Sequence, residues 1–475
     1  MDKRIVALAL GPTLFLLFNF WPASGSNPQL IMLGILLWML TWWITNAVPI
    51  GVTSLLPMIL FPLCGILDLK TTTASYANPI IYLFFGGFVL GLALEKWQLH
   101  KRIALNIMRG AGESPQRIIL GSMLATAILS MWISNTATTV MMLPIGMSVV
   151  NLLQNKVENP KAAQNFGLTL MLGIAYAANL GGMATLIGTP PNLVLAGLVD
   201  EAGMSPLGFA TWLFFALPLV IVLFAMVYWL NTKVIFPVRL PALNGFGVLI
   251  KSELTSLGKM GSAEKRVLII LCATALLWVF RAQLNQWPPL TNLSDTIIAI
   301  AAVLALFITP SGKQQATPLL EWPDMTKLPW GILLLFGGGI SLAKGMEVTQ
   351  MVNTVGTWIS SVSYPSLLVL ILVVCFFAVF LTEVMSNVAL VSVFIPVSFV
   401  IASSLQVDSL ALAIPLTLGA SCAFMFPIST PPNAIVFSSG QIKMGQMAKA
   451  GVFLNLLSIA IISLYCYYLV PLFFG

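Results

Sequence analysis

Ser130-Met131-Trp132-Ile133-Ser134-Asn135-Thr136-Ala137-Thr138-Thr139 packs five hydroxyls and one carboxamide between two apolar arms, 117–133 and 140–153. Hydrocarbon offers such groups no partner, and each unpaired one costs several kcal/mol. The cluster therefore lines a cavity or holds a ligand. A second stretch, Thr382-Glu383-Val384-Met385-Ser386-Asn387-Val388, repeats the pattern between arms at 366–385 and 388–404. We read the two stretches as parts of one binding site for a small anion and its coupling ions.

Composition sets the solvent for these arms. Of 475 residues, 59% are hydrophobic and 8% are charged, and the mean hydropathy is +0.97. A soluble protein carries roughly 25% charged residues. This chain cannot cover its surface with charge, so its solvent is a bilayer. Its length allows about a dozen spans of about 20 residues. The apolar run after Asp2-Lys3-Arg4 looks like a signal peptide, but no clear small-residue cleavage site follows and 29–48 reads as another span. A retained helix is expected. Cys64, Cys272, Cys375, Cys422 and Cys466 lie singly in apolar stretches, as buried packing residues do. His100, the single histidine, stands beside Lys101 and Arg102 and is expected on the interfacial surface. Glu95 and Lys96 are expected at the same interface. With one histidine and no paired thiols, His-based catalysis and His/Cys metal sites lack ligands. An intramembrane enzyme would need a catalytic dyad, and a channel would need a continuous polar path; neither is visible.

Taken in order, apolar segments run at 5–20, 29–48, 49–67 and 79–98, with breaks at Pro49 and 71–78. A short basic amphipathic segment, 100–109, is expected along the interface. After the first pair of arms come 166–199, interrupted at Gly188-Thr189-Pro190-Pro191-Asn192, then 207–230 and a polar connection at 231–266. Spans follow at 267–284, 293–310 and 328–346, then a weakly polar segment at 347–361 and the second pair of arms. The segment 410–437 is interrupted at Ser429-Thr430-Pro431-Pro432-Asn433, and 452–474 closes the chain. Three motifs recur in the same order: Phe85-Gly86-Gly87 with Phe336-Gly337-Gly338, Ser134-Asn135 with Ser386-Asn387, and the two Thr-Pro-Pro-Asn runs. Gly86 to Ser134 is 48 residues and Gly337 to Ser386 is 49. Three ordered matches point to an internal duplication. The Phe-Gly-Gly starts read as packing or helix-break positions rather than ligand contacts.

Charge follows topology rather than nucleic acid, despite a net +7. If each arm pair returns to the side it entered from and every other segment crosses, 19 of the 22 Lys and Arg share one side. Only Lys70, Arg281 and Lys344 lie opposite. By the positive-inside rule the crowded side is the cytoplasm, with the N-terminus inside and the C-terminus outside. Five crossings separate the arm pairs, an odd number, so the halves are inverted. Inverted repeats with broken helices and polar tips at mid-depth are the plan of secondary transporters. Parity does not separate re-entrant hairpins from paired full spans. We adopt hairpins, because full spans would carry Ser-Asn-Thr out to water.

A hairpin tip joins two helix poles. The ending arm exposes free carbonyls and the starting arm exposes free N–H groups. Ser134 and Thr136 are good N-cap types for the second arm. Carbonyls, the Asn135 amide oxygen and the Ser130 and Ser134 hydroxyls suit Na⁺; N–H groups, the Asn135 amide nitrogen and Thr136 suit a carboxylate. Pro190 and Pro191 remove two donors and unwind the helix. Carbonyls near Gly188 can join the cation, and Thr189 faces the anion. The duplicate supplies Thr382, Ser386, Asn387, Ser429 and Thr430. Glu383 reads either as a proton or cation ligand or as a hydrogen-bonding brace, and we favour the brace.

At these motifs the chain resembles the divalent anion:sodium symporter family, transporters of succinate, malate, fumarate and citrate. The resemblance covers nearly the whole length and rests on the two Ser-Asn stretches, the two Thr-Pro-Pro-Asn runs and the two Phe-Gly-Gly starts. It implies an all-α polytopic membrane protein of two inverted repeats, with about eleven transmembrane helices and two re-entrant hairpins per protomer of a homodimer. It implies an elevator: scaffold regions 1–110 and 267–362, transport regions 111–232 and 363–475, and a cytoplasmic connection at 233–266. One Na⁺ would meet Ser130, Ser134, Asn135 and Gly188, and another Thr382, Met385, Asn387 and Ser429. Substrate carboxylates would meet Asn135, Thr136, Thr189, Asn387, Thr430 and Pro431, with Val388 beside them. The family pattern often has Thr where Val388 stands, so one side-chain contact is lost. No Arg or Lys lies in the motifs. The implied function is Na⁺-coupled uptake of a C4-dicarboxylate across the bacterial plasma membrane, with Na⁺-independent exchange, or carriage of citrate or sulfate, as the alternative.

Overall fold

The computed structural model describes residues 3–19, 27–154, 160–312, 317–351 and 366–475. Lys156, Lys313 and the part of the weakly polar segment from 352 onward lie outside them. The described residues form helices and connections, with one isolated bridge between Pro310 and Pro318 and no strand. Eight described helices are long and apolar enough to cross a bilayer, and several apolar helices are shorter.

The chain opens with α1 (Lys3–Asn19) packed along α2 (Pro28–Thr45), followed by α3 (Ile50–Thr53), α4 (Leu56–Leu63) and α5 (Leu69–Ala74). Next come α6 (Pro79–Lys96), α7 (Leu99–Arg109), α8 (Pro115–Ser130), α9 (Asn135–Gln154), α10 (Pro160–Met183), α11 (Pro190–Glu201) and α12 (Phe209–Trp229). The middle holds α13 (Phe246–Ser256), α14 (Ser262–Val279), α15 (Arg281–Leu284), α16 (Asp295–Ile308) and, after a 3₁₀ turn over Trp322–Lys327, α17 (Trp330–Val348). The last part is α18 (Leu367–Leu381), α19 (Asn387–Ser404), α20 (Leu410–Ala420), α21 (Pro431–Phe437) and α22 (Met444–Phe474).

One starting device recurs. A short polar residue is followed by proline at the first helical position, where the missing N–H has no partner to lose. Asn27-Pro28, Asn78-Pro79, Ser114-Pro115, Thr189-Pro190 and Thr430-Pro431 all begin helices this way. The Thr-Pro-Pro-Asn prolines therefore start α11 and α21; the unwound residues lie before them, at 184–189 and 421–430. Other expectations shift too. The segment 49–67 is split into α3 and α4, and 71–77 is helical rather than a break, because Asp68 caps α5 by accepting from Thr71 N at 2.6 Å. His100 is not on the surface: it is buried, with Nδ1 2.8 Å from Leu94 O, where α7 folds back over the end of α6. Burial lowers its pKa; the Leu94 carbonyl works against that and Lys101 reinforces it.

Two packing groups emerge. α6, α14 and α16 contact one another. α10 packs on α8, α9, α12 and α21, while α18, α20 and α22 pack together and α12 meets α22. The Phe-Gly-Gly helices bring the groups close. A Cβ on Gly86 would lie 2.6 Å from Ala299 Cβ, one on Gly87 3.1 Å from Ile187 Cβ, and one on Gly91 3.1 Å from Ile133 Cγ2. On α17, a Cβ on Gly338 would lie 2.5 Å from Ser54 O. Phe84 and Phe336 stack at 4.1 Å between ring centroids, joining the two starts.

Candidate binding site

The site lies where helix ends converge. α8 ends at Ser130 and α9 begins at Asn135; α18 ends at Leu381 and α19 begins at Asn387. Both connections face the unwound residues before α11 and α21 across one cavity of about 900 Å³. Ser134, Asn135, Thr136, Gly188, Thr189, Met385, Asn387, Val388, Ser429, Thr430 and Pro431 all line it. Ser130 and Thr382 are fully buried behind the tips. Such a volume sits at the upper end of the roughly 300–1,000 Å³ of small-molecule pockets.

The buried hydroxyls behind the tips match between halves. Ser130 Oγ donates to Ala178 O at 2.8 Å, and Thr382 Oγ1 donates to Ala420 O at 2.7 Å. Each ties the end of its first arm to the helix preceding the break. At the first tip, one end of the Asn135 carboxamide meets three oxygens: Ser130 Oγ at 2.6 Å, Ala178 O at 3.2 Å and Gly188 O at 3.3 Å. With nitrogen at that end, its two N–H groups serve the three acceptors, one hydrogen being shared. With oxygen there, four oxygens converge, the donor set of a hard cation. Glycine makes this closure possible. A Cβ on Gly188 would lie 2.6 Å from Gly182 O and 3.0 Å from Ser130 O, and one on Gly182 would lie 2.5 Å from Asn135 Oδ1.

Capping follows the expectation at Ser134 and departs from it at Thr136. Ser134 caps α9, accepting from Ala137 N at 3.2 Å, whereas Thr136 sits in the first turn, exposed to the cavity. Ser386 makes no side-chain cap; Asn387 Oδ1 accepts from Val388 N at 2.8 Å instead. The N-terminal ends of α9, α11 and α19 all reach the cavity, which favours negative charge there.

Glu383 is 1% exposed and accepts four hydrogen bonds. Oε1 takes Phe424 N at 2.8 Å, Met425 N at 2.9 Å and Asn455 Nδ2 at 2.8 Å, and Oε2 takes Phe426 N at 3.2 Å. It is the brace, holding the second break to the second tip.

Several residues here carried no sequence signal. Thr185 donates to Met131 O at 2.6 Å and accepts from Gly188 N at 3.0 Å, linking the first tip to the first break. Asn192 and Asn433, though inside the motifs, stitch the breaks: Asn192 Nδ2 reaches Thr185 O at 2.8 Å and Asn433 Nδ2 reaches Ala423 O at 3.0 Å. Asn179 Nδ2 donates to Thr430 Oγ1 at 3.2 Å, and Tyr176 OH donates to Phe424 O at 2.7 Å, so α10 grips the second half's break. Three further helix ends complete the wall: Asn46 after α2, Glu95 on α6, and Lys327 before α17. Glu95 and Lys327 are the ionisable side chains among the described lining residues.

Residues 3–474 match the model of the sodium:sulfate symporter transmembrane region. The sodium-dependent dicarboxylate transporter SdcS of Staphylococcus saprophyticus is 41% identical over 475 residues, covering 98% of this chain and 92% of that relative. Its namesake from Staphylococcus aureus strain MRSA252 is 40% identical over 479 residues, with 99% and 92% covered. Among solved structures, the Neisseria gonorrhoeae MtrF efflux pump aligns with TM-score 0.60 at 14% identity, covering 97% of each chain. The Alcanivorax borkumensis YdaH transporter aligns with TM-score 0.59 at 14% identity, covering 85% of this chain and 89% of its own. These two share the fold.

Proposed function

The chain belongs to the sodium:sulfate symporter family, and on that premise we propose that it carries C4-dicarboxylates such as succinate, malate and fumarate, driven by Na⁺. The observation that carries the reading is the Asn135 carboxamide. Na⁺ held by Ser130, Ser134, Asn135 and Gly188 takes the amide oxygen. The amide nitrogen then turns to the cavity, where a carboxylate accepts from it. Without Na⁺ the nitrogen is occupied by Ser130, Ala178 and Gly188, and the amide oxygen faces the anion. One side chain thus makes cation and anion binding mutually favourable. A second Na⁺ at Thr382, Met385, Asn387 and Ser429 acts beside Glu383. The dianion meets Asn135, Thr136, Thr189, Asn387, Thr430 and Pro431, with Val388 supplying only apolar contact.

Transport follows by an elevator. Regions 111–232 and 363–475, each with one re-entrant hairpin, move as a body against the scaffold of 1–110 and 267–362, with 233–266 as the cytoplasmic connection. The support is the packing of α10 on both breaks and the bare glycine contacts of α6 with Ile133 and Ile187. A homodimer in the bacterial plasma membrane, N-terminus inside and C-terminus outside, completes the reading. It is a carrier and catalyses no covalent step.

The test is uptake of radiolabelled succinate into vesicles, with and without an inward Na⁺ gradient or internal succinate, and with sulfate and citrate as competitors. Uptake driven by the gradient alone is expected. Succinate affinity unchanged in Na⁺-free buffer would sink the coupling, and a requirement for internal succinate would establish exchange instead.

A further inference from the structure

The tips and breaks bring no cationic side chain to the cavity, yet the opposite wall does. Lys327 ends the 3₁₀ turn before α17, is exposed, and lines the same cavity as Ser134–Ala137. Its neighbour Lys96 is occupied, with Nζ 2.6 Å from Asp324 Oδ2. Asp324 in turn is held below its usual pKa range: desolvation opposes this, but the Glu321 N–H, Lys96 and the charge of Lys327 outweigh it. Lys327 itself makes no ion pair within 4.0 Å among the described residues. Glu95, one residue from Lys96, is a half-buried carboxylate on the cavity wall and likewise lies in no ion pair within that distance.

These charges stand at the ends of helices, not at mid-depth. Asn46 follows α2, Glu95 closes α6 and Lys327 precedes α17. Charged side chains at helix ends lie toward the membrane surface, so this end of the cavity is read as its mouth. A dianion leaving the tips gives up helix N-termini and hydroxyls and next meets the Lys327 ammonium and the Glu95 carboxylate, two charges that act on each other without closing a contact ion pair.

We propose that Lys327 forms an outer docking point for one carboxylate of a divalent organic anion, and that Glu95 shortens the anion's stay there. This rests on the dicarboxylate reading above. An ammonium not locked in a contact ion pair attracts a dianion across several ångströms of partly screened space. Alone it would trap the anion at the mouth. The nearby carboxylate repels the same anion, and the balance lets it pass in either direction. The same carboxylate attracts Na⁺, which must cross this mouth too. The positive-inside reading puts this mouth on the cytoplasmic face, so the pair sets affinity on the release side.

The experiment is succinate transport in vesicles of defined orientation, with KM measured from each face. Lys327→Gln is expected to raise KM on the mouth side about threefold to tenfold, and Glu95→Gln to lower it by a similar factor. KM from the other face stays unchanged in both, and raising KCl shrinks both effects. Lys327→Arg restores the wild-type value, and Lys327→Gln with Glu95→Gln returns close to it. Equal KM on the mouth side for wild type and Lys327→Gln overturns the proposal, as do shifts of the same sign in the two single variants, which mark a packing role. Absence of succinate transport in the wild type is a separate outcome, and it overturns the dicarboxylate reading itself.

Discussion

The two tips solve one problem with opposite chemistry. Each must be fastened to the unwound residues that face it, and each does so at the residue following the first arm's buried hydroxyl. In the first half that residue is Met131, whose backbone carbonyl accepts from the Thr185 hydroxyl of the break. In the second half it is Glu383, whose carboxylate accepts from three backbone N–H groups of the break and from Asn455. The first fastening is neutral, with the side chain on the break. The second is anionic, with the side chain on the tip. The position before Thr-Pro-Pro-Asn differs accordingly: Gly188 is pressed against Gly182 O, while Ser429 carries a hydroxyl that donates to Phe426 O. Two matching tips thus have unlike ends, one closed by the absence of a side chain and one by a charge.

The strongest way to break this contrast is Glu383→Gln. Its amide NH₂ would face backbone donors, and bonds to a charged acceptor are worth about 1.5–3 kcal/mol each. We expect uptake to fall at least about a hundredfold with a lower melting temperature, since each 1.4 kcal/mol is a factor of ten. Wild-type uptake in this variant would show that the second fastening does not need its charge. Next is Gly188→Ser, which makes the first half resemble the second. Its Cβ has no room beside Gly182 O, so Na⁺ activation should weaken about tenfold or more, whereas Ser429→Gly should retain measurable transport. Thr185→Val removes a donor from Met131 O and an acceptor from Gly188 N. Its cost is about 1–3 kcal/mol in thermal unfolding, and Thr185→Ser should recover most of it. Smallest is the pair Thr136→Val and Val388→Thr. The first should raise succinate KM several-fold, about the worth of one hydrogen bond, and the second should change it little. Equal shifts would show that the two tips share the anion evenly.

Much of this was legible in the chain. The polar tips and the broken helices follow from hydroxyls and prolines standing where hydrocarbon tolerates neither. Glu383 as a brace also follows, because a carboxylate at that depth needs several donors. Other features left no trace. Thr185 sits in an apolar run, and only the fold brings it to Met131. The prolines point to unwound residues in the sequence, but proline, which disrupts a helix interior, is well suited to its first turn. His100 was placed outside by its basic neighbours, yet a single ring on a short amphipathic helix can turn inward while Lys101 and Arg102 reach Glu253 and Glu264. The cavity mouth escaped notice because Asn46, Glu95 and Lys327 are far apart in sequence and each looks like an ordinary helix-end residue.

One turn of α10 touches everything that matters. Tyr176 bonds the segment that Glu383 holds, Ala178 offers its carbonyl to the first tip, and Asn179 bonds Thr430 at the second break. On the two-site proposal above, filling either half would stiffen the turn on which the other depends, so the two Na⁺ sites would be cooperative rather than additive. The dose–response to Na⁺ should be sigmoidal, and Asn179→Ala should flatten its Hill slope toward one while leaving both ligand sets in place.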